Sequence, residues 1–249
     1  DGQHLNACPP DFNPDHNLKN PYDAPKQMPG VFKTIYETAR SIKPEALIQL
    51  CPCGDAMSFY NIPYTNQFVA SDPVGSTQVR SKGKTYKALA PNTAYFGDHV
   101  ELSDGRDDFA STIGVGGVPG TKFTWPADNP TSSEKNLLKP ERESEWAKWI
   151  RIYKAHMLSK GEYLGGLYDI GYDIPETHVI RKNDTLFYAF YAKEWTGDIT
   201  LRGLEKDNYE VTDYVNRQVS AKVKKENPVI NVSFEKYLLL MAYPAQGKQ

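Results

Sequence analysis

The chain has 249 residues, a formal net charge of −2 and 24% charged residues. This length suits one or two domains with a sizeable core. The balanced charge argues against nucleic acid or an acidic membrane surface as a partner, and no apolar run approaches the roughly 18 residues that a membrane span needs.

Three cysteines, Cys8, Cys51 and Cys53, are too few for a disulfide scaffold, and their odd number leaves at least one thiol free. Whether Cys8 pairs with Cys51 or Cys53 stays open. The Cys51-Pro52-Cys53 motif lacks both the spacing and the histidines of a zinc site, so neither a metal nor another cofactor is predicted. A secreted or periplasmic location is slightly favoured over a cytoplasmic one, and an oligomer is compatible with the sequence.

The first two thirds of the chain alternate between strand and helix patterns. An apolar stripe from Val31 to Ile42 predicts a helix, and a second amphipathic helix is predicted around Trp146 to Leu158. Between these two helices, a further helix is predicted at Ser76 to Ala90. Short strands are predicted at Ala46–Cys51, Gln67–Ser71, Ala94–Val100 and Ile113–Val118. This alternation favours parallel βαβ units, and about four strands precede Leu164.

After about Pro175 the pattern changes to consecutive strands with polar turns, one of them predicted at Thr196-Gly197. We therefore predict an α/β chain in which residues 1–170 form the second half of a (β/α)8 TIM barrel. Residues 171–249 are predicted to form a small antiparallel β-sandwich. Because the chain begins with Asp1-Gly2-Gln3 and half a barrel leaves open edges, we expect preceding sequence to supply the other half.

Carboxylates are predicted at strand ends. Asp72 directly follows the apolar run Phe68 to Ser71, and Pro73 biases it toward an extended backbone. Asp98 follows the next predicted strand, and Asp1 opens the chain. The carboxyl ends of barrel strands carry catalytic groups, and two carboxylates at such ends suit glycoside hydrolysis.

The same residues resemble a known family. Asp1-Gly2-Gln3 resembles the tail of a Lys-x-Asp-Gly nucleophile motif, and Cys53-Gly54 precedes Ser71-Asp72 at a spacing of nineteen residues from Cys53 to Asp72. With Gly97-Asp98-His99-Val100, these motifs resemble melibiase-type α-galactosidases of glycoside hydrolase family 36. Phe190 to Trp195 and Tyr209 to Tyr214 resemble that family's terminal β-domain.

The resemblance implies a retaining double displacement on a glycoside or oligosaccharide, without a metal. Asp1 would be the nucleophile and Asp72 the acid and then the base. The implied sugar-binding residues are Cys53, Gly54, Arg80, Asp98 and His99. Arg80 stands in this set because the family often carries an arginine shortly before the acid and this chain does not. Pro73 takes the place of a second aspartate that is common after the acid.

Two alternatives remain open from the sequence. One is an α-glycosidase of different sugar specificity. The other is a non-catalytic carbohydrate-binding or scaffold chain, which follows from the expectation that half of a barrel is missing.

Overall fold

The computed structural model describes residues 10–51, 58–98, 108–121, 125–131 and 137–245. In the first part of the chain, three short strands form a parallel sheet in the order β1-β2-β3. They are β1 (Gln67–Val69), β2 (Ala94–Phe96) and β3 (Gly117–Val118). A parallel bridge between Gln49 and Gln67 adds a fourth position beside β1, where the strand Ala46–Cys51 is predicted. A separate parallel pair joins β4 (Trp125–Pro126) to β5 (Leu137–Leu138).

Helices connect and flank these strands. They are α1 (Ala24–Ile42), α2 (Ser76–Leu89), α3 (Asp108–Gly114) and α4 (Pro140–His156). Single 3₁₀ segments lie at Pro21–Asp23, Phe59–Tyr64 and Leu158–Lys160. The prediction of a strand at Ile113–Val118 is partly wrong, because α3 continues to Gly114 and only the last two residues are β3. All seven residues of α3 are buried, and its polar residues Asp108 and Ser111 bond to Ser76 and Arg80 of α2. With seven residues, the helix is shorter than the window over which helical periodicity can be recognised.

The second part of the chain forms a six-stranded antiparallel sheet with the order β10-β9-β11-β8-β7-β6. Its strands are β6 (Glu162–Tyr163), β7 (Glu176–Lys182), β8 (Thr185–Thr200), β9 (Asn208–Asp213), β10 (Ser220–Lys224) and β11 (Val229–Pro244). The predicted turn at Thr196-Gly197 is wrong, since Gly197 lies inside β8 opposite Val232 of β11. Long-range pairing along this hairpin overrides the local turn signal.

Alternate residues of β8 enter two different cores, as the period of a strand requires. Tyr188 and Phe190 belong to a cluster that also contains Ile199 and Leu240. Tyr191, on the other face, belongs to a cluster with residues of α3 and α4. A third cluster, which includes Phe68, Val79 and Tyr95, packs α2 on the parallel sheet. This third core holds β1 and β2 against α2.

Candidate active site at the ends of β1 and β2

Asp72 emerges where the buried run after β1 ends. Ala70 and Ser71 are fully buried, whereas Asp72 is exposed. The backbone φ is 57° at Ser71 and 46° at Asp72, so both residues adopt the left-handed backbone conformation. The expectation of an extended Asp72 is therefore wrong. Pro73 disfavours only the right-handed helical region for its predecessor, and aspartate tolerates the left-handed one.

Asp98 follows β2 and is tied to Asp72. The Asp98 carboxylate Oδ2 accepts a hydrogen bond of 2.9 Å from the backbone N–H of Asp72. Asp98 is buried and is itself left-handed, with φ 58°. Because β1 and β2 are adjacent parallel strands, their carboxyl ends lie side by side, as the sequence predicts. Three non-glycine residues in this conformation at one edge form the kind of backbone cluster often found at functional sites.

A lysine lies beside these carboxylates. Lys82, from α2, donates hydrogen bonds from Nζ to the carbonyl oxygens of Ala70 at 2.7 Å and Ser71 at 3.2 Å. Burial lowers the pKa of the Lys82 ammonium, and the nearby charges of Asp72 and Asp98 oppose that shift. Cys51 also faces this corner, with its Sγ 3.9 Å from the Ser71 hydroxyl. The strand end thus combines two carboxylates with one ammonium.

Arg80 makes its contacts elsewhere. Its guanidinium donates to both carboxylate oxygens of Glu176, at 2.7 and 3.0 Å, and to the Ser111 hydroxyl at 2.9 Å. It also lies over the Tyr191 ring, 4.3 Å from the centroid. These contacts connect α2 to α3 and to β7 and β8 of the antiparallel sheet.

The environment of Glu176 is strongly polarised. Burial disfavours its charge, but hydrogen bonds from His178 and Arg80 and the Arg80 charge outweigh burial and lower the pKa of Glu176 to about 2. Burial lowers the pKa of His178 and favours its neutral ring. Because Nε2 of that ring donates to the Glu176 carboxylate, its Nδ1 accepts a hydrogen bond of 2.7 Å from the Tyr163 hydroxyl. This network fixes the interface between α2 and the antiparallel sheet.

The structure therefore brings together Asp72 and Asp98 and places Arg80 in that interface. Asp1, Cys53, Gly54 and His99 lie outside the described residues. Lys82 is a site residue that the sequence analysis did not select. The sequence feature that could have pointed to Lys82 is its position about two turns into the helix that follows β1, because such helices begin near the carboxyl end of the strand.

Among the described residues, no His, Cys, Asp and Glu side chains gather in a group of three or more that could hold a metal ion. None of the helices in the same ranges is both long and apolar enough for a membrane span.

Comparison with solved structures identifies the class of fold as that of barrel-type glycoside hydrolases. A family GH27 β-L-arabinopyranosidase from Geobacillus stearothermophilus matches with a TM-score of 0.61 and 11% identity, over 89% of this chain and 55% of that chain. An α-amylase from Geobacillus thermoleovorans, complexed with acarbose, matches with a TM-score of 0.51 and 11% identity, over 88% of this chain and 58% of that chain. No protein-family model matches the sequence.

A particular relative is similar in sequence as well. The A type blood α-D-galactosamine galactosaminidase of Flavonifractor plautii is 31% identical over 251 residues. The match covers 97% of this chain and 22% of the relative, so the chain spans about a fifth of the length of the curated protein that it matches.

Proposed function

We propose that this chain carries the acid/base side of the active site of a retaining α-glycosidase. In this proposal, residues 1–170 are the second half of a (β/α)8 barrel and residues 171–249 are a β-sandwich. The parallel order of Gln49, β1, β2 and β3 supports the half barrel. The shared core of Tyr188 and Ile199, from opposite ends of β8, supports a sheet that folds onto itself.

The observation that carries the proposal is the presentation of Asp72. Its carboxylate is exposed at the carboxyl end of a parallel strand, on a left-handed backbone whose amide is held by Asp98. An exposed carboxylate on a fixed backbone can reach a glycosidic oxygen, whereas an ordinary surface aspartate has no such support.

The chemistry then follows two displacements. Asp72 gives its proton to the leaving glycosidic oxygen while the Asp1 carboxylate attacks the anomeric carbon and forms an ester with the sugar. Asp72, now ionised, takes a proton from water as the water oxygen attacks the same carbon. The ester bond breaks, the Asp1 carboxylate is regenerated and Asp72 is protonated again.

The other residues that the sequence predicts to bind sugar keep that role in this proposal, except for Asp98 and Arg80. Cys53, Gly54 and His99 remain proposed sugar neighbours. The Asp98 carboxylate supports Asp72 by accepting the backbone N–H of Asp72, and Asp98 faces the same site. For Arg80 we propose a structural role in place of sugar binding, since its guanidinium is engaged by Glu176 and Ser111.

For the substrate we propose a terminal α-linked sugar of galactose configuration, either galactose or galactosamine. The family resemblance supports the first, and the name of the Flavonifractor plautii relative supports the second. A panel of nitrophenyl α-glycosides, measured on the full-length protein, separates these sugars from other α-glycosides.

The decisive experiment is Asp72→Asn in the full-length protein, assayed on a nitrophenyl α-glycoside and on an oligosaccharide of the same sugar. General acid catalysis contributes about 10²- to 10⁴-fold. We expect a loss of that size on the oligosaccharide, whose alcohol leaving group needs a proton, and a much smaller loss of glycosylation on the nitrophenyl substrate. Asp184→Asn, in an exposed turn, is the matched control.

Undiminished hydrolysis of the oligosaccharide by Asp72→Asn would refute the acid assignment. Sugar binding without turnover by the unmodified full-length protein would instead favour the non-catalytic carbohydrate-binding alternative.

A further inference from the structure

We propose that Lys82 is a positioning residue, which holds the end of β1 in the conformation that presents Asp72 to the glycosidic oxygen. This inference rests on the proposed function of Asp72. It gives helix α2, which follows β1, a part in the protonation of the glycosidic oxygen.

The backbone at Asp72 needs support from its surroundings. Ser71 and Asp72 are consecutive left-handed residues without being glycine, a conformation that L-residues adopt only at an energetic cost. The described contacts hold this turn from two sides. Asp98 accepts the N–H of Asp72, and Lys82 donates to the carbonyls of Ala70 and Ser71.

The charge of Lys82 complements that of its surroundings. The Nζ is partly buried, and the acidic groups that act on it are Asp72, Asp98 and the Cys51 thiol. Its ammonium is therefore attracted to the same corner that its hydrogen bonds fix. A neutral side chain of similar length would retain the packing and lose both the donors and the charge.

The position of Lys82 is itself fixed by its helix. Two residues earlier, Arg80 anchors α2 through its paired hydrogen bonds to Glu176. One residue later, Gly83 lies so close to the sheet that an added Cβ would be 2.9 Å from Tyr95 Cε1 of β2. The backbone that carries Lys82 therefore has little freedom to move relative to β1.

The chain provides a matched control on the same helix. Lys87 is buried, and its Nζ donates to the carbonyl oxygen of Thr93 at 3.1 Å. Thr93 precedes β2, so this bond lies at the amino end of the sheet, opposite to Asp72. Lys87→Met removes the same kind of contact without touching the proposed site.

The test compares Lys82→Met and Lys87→Met in the full-length protein, using the oligosaccharide and nitrophenyl substrates described above. Loss of charged hydrogen bonds should lower kcat/KM, which reports the first displacement, on the oligosaccharide by about 10- to 100-fold in Lys82→Met. The kcat/KM of the nitrophenyl substrate should fall much less, because its leaving group needs little protonation. For Lys87→Met, the ratio of the two kcat/KM values should equal that of the unmodified protein.

The outcomes separate this inference from the function on which it rests. If Asp72→Asn changes the substrate ratio and Lys82→Met does not, the positioning role is wrong and the acid assignment stands. If Asp72→Asn leaves the ratio unchanged, the proposed function itself fails. Should Lys82→Met not fold, Lys82→Gln, which keeps an amide donor group without the charge, decides the question by the same ratio.

Discussion

Replacing Glu176 by Gln removes the negative charge that holds Arg80 between α2 and the antiparallel sheet. The two side chains form a paired contact, with the shortest distance 2.7 Å, and only 7% of the Arg80 side chain and 22% of the Glu176 side chain are exposed. In Glu176→Gln the guanidinium stays buried without its counter-charge, which is the costly way to break such a pair.

The magnitude follows from the pKa of Glu176, which the fold lowers from 4.5 to about 2. Each tenfold change in an acid dissociation constant corresponds to about 1.4 kcal/mol, so the ionised form contributes about 3 kcal/mol to the free energy of unfolding. Because the folded pKa is the lower one, this contribution is complete above about pH 4.5 and is lost as the pH falls toward about 2.

The assay is urea unfolding of the unmodified chain and of Glu176→Gln over a series of pH values. The difference between them should be about 3 kcal/mol at neutral pH and about 1.4 kcal/mol at about pH 3. Glu162→Gln is the control, because Glu162 pairs with Arg181 on the surface, where 58% of the Glu162 side chain is exposed. That exposed pair should be worth about 0–1 kcal/mol.

Two results would show this reasoning to be wrong. One is a Glu176→Gln protein no less stable than Glu162→Gln. The other is a difference from the unmodified chain that does not shrink as the pH falls below about 4.5.

Three substitutions test the packing. Gly114→Ala would place a Cβ against the Tyr191 hydroxyl and 2.6 Å from the Ala189 Cβ, so we expect a loss of about 1–3 kcal/mol in the free energy of unfolding. Gly30→Ala, on α1 with nothing within 4 Å of the added carbon, should instead be neutral or stabilising by up to about 1 kcal/mol. Phe68→Ala removes a fully buried ring that stacks on Tyr86 and should cost about 3–5 kcal/mol, as measured by denaturant unfolding.

Helices with a clear apolar stripe and a defined start could be predicted from the sequence. The pattern predicts a helix from Ser76 to Ala90, and α2 extends from Ser76 to Leu89. For α1 the stripe is found correctly, but the helix begins earlier, at Ala24, because Pro25 is tolerated in its first turn. Pattern reasoning fails for α3, because seven residues are fewer than the window over which helical periodicity can be recognised.

The candidate site is partly predictable for similar reasons. The position of Asp72 and Asp98 after adjacent strands follows from local pattern, and the structure confirms it. The left-handed turn at Asp72 does not follow from local pattern, because the Asp72 N–H is bound by Asp98, which lies 26 residues further along the chain. The role of Arg80 depends on Glu176, which lies 96 residues further along the chain and leaves no local signature.

Helix α3 has a consequence for how this chain can be divided. Its residues Phe109, Ala110 and Ile113 share one core with Leu239 near the end of the chain, and the Tyr191 hydroxyl donates to the Ala110 carbonyl at 2.7 Å. A truncation before β7 would uncover the apolar side chains of Phe109, Ala110 and Ile113 and favour aggregation of the remaining piece. Exchange of the antiparallel sheet between related chains would for the same reason succeed only if α3 is exchanged with it.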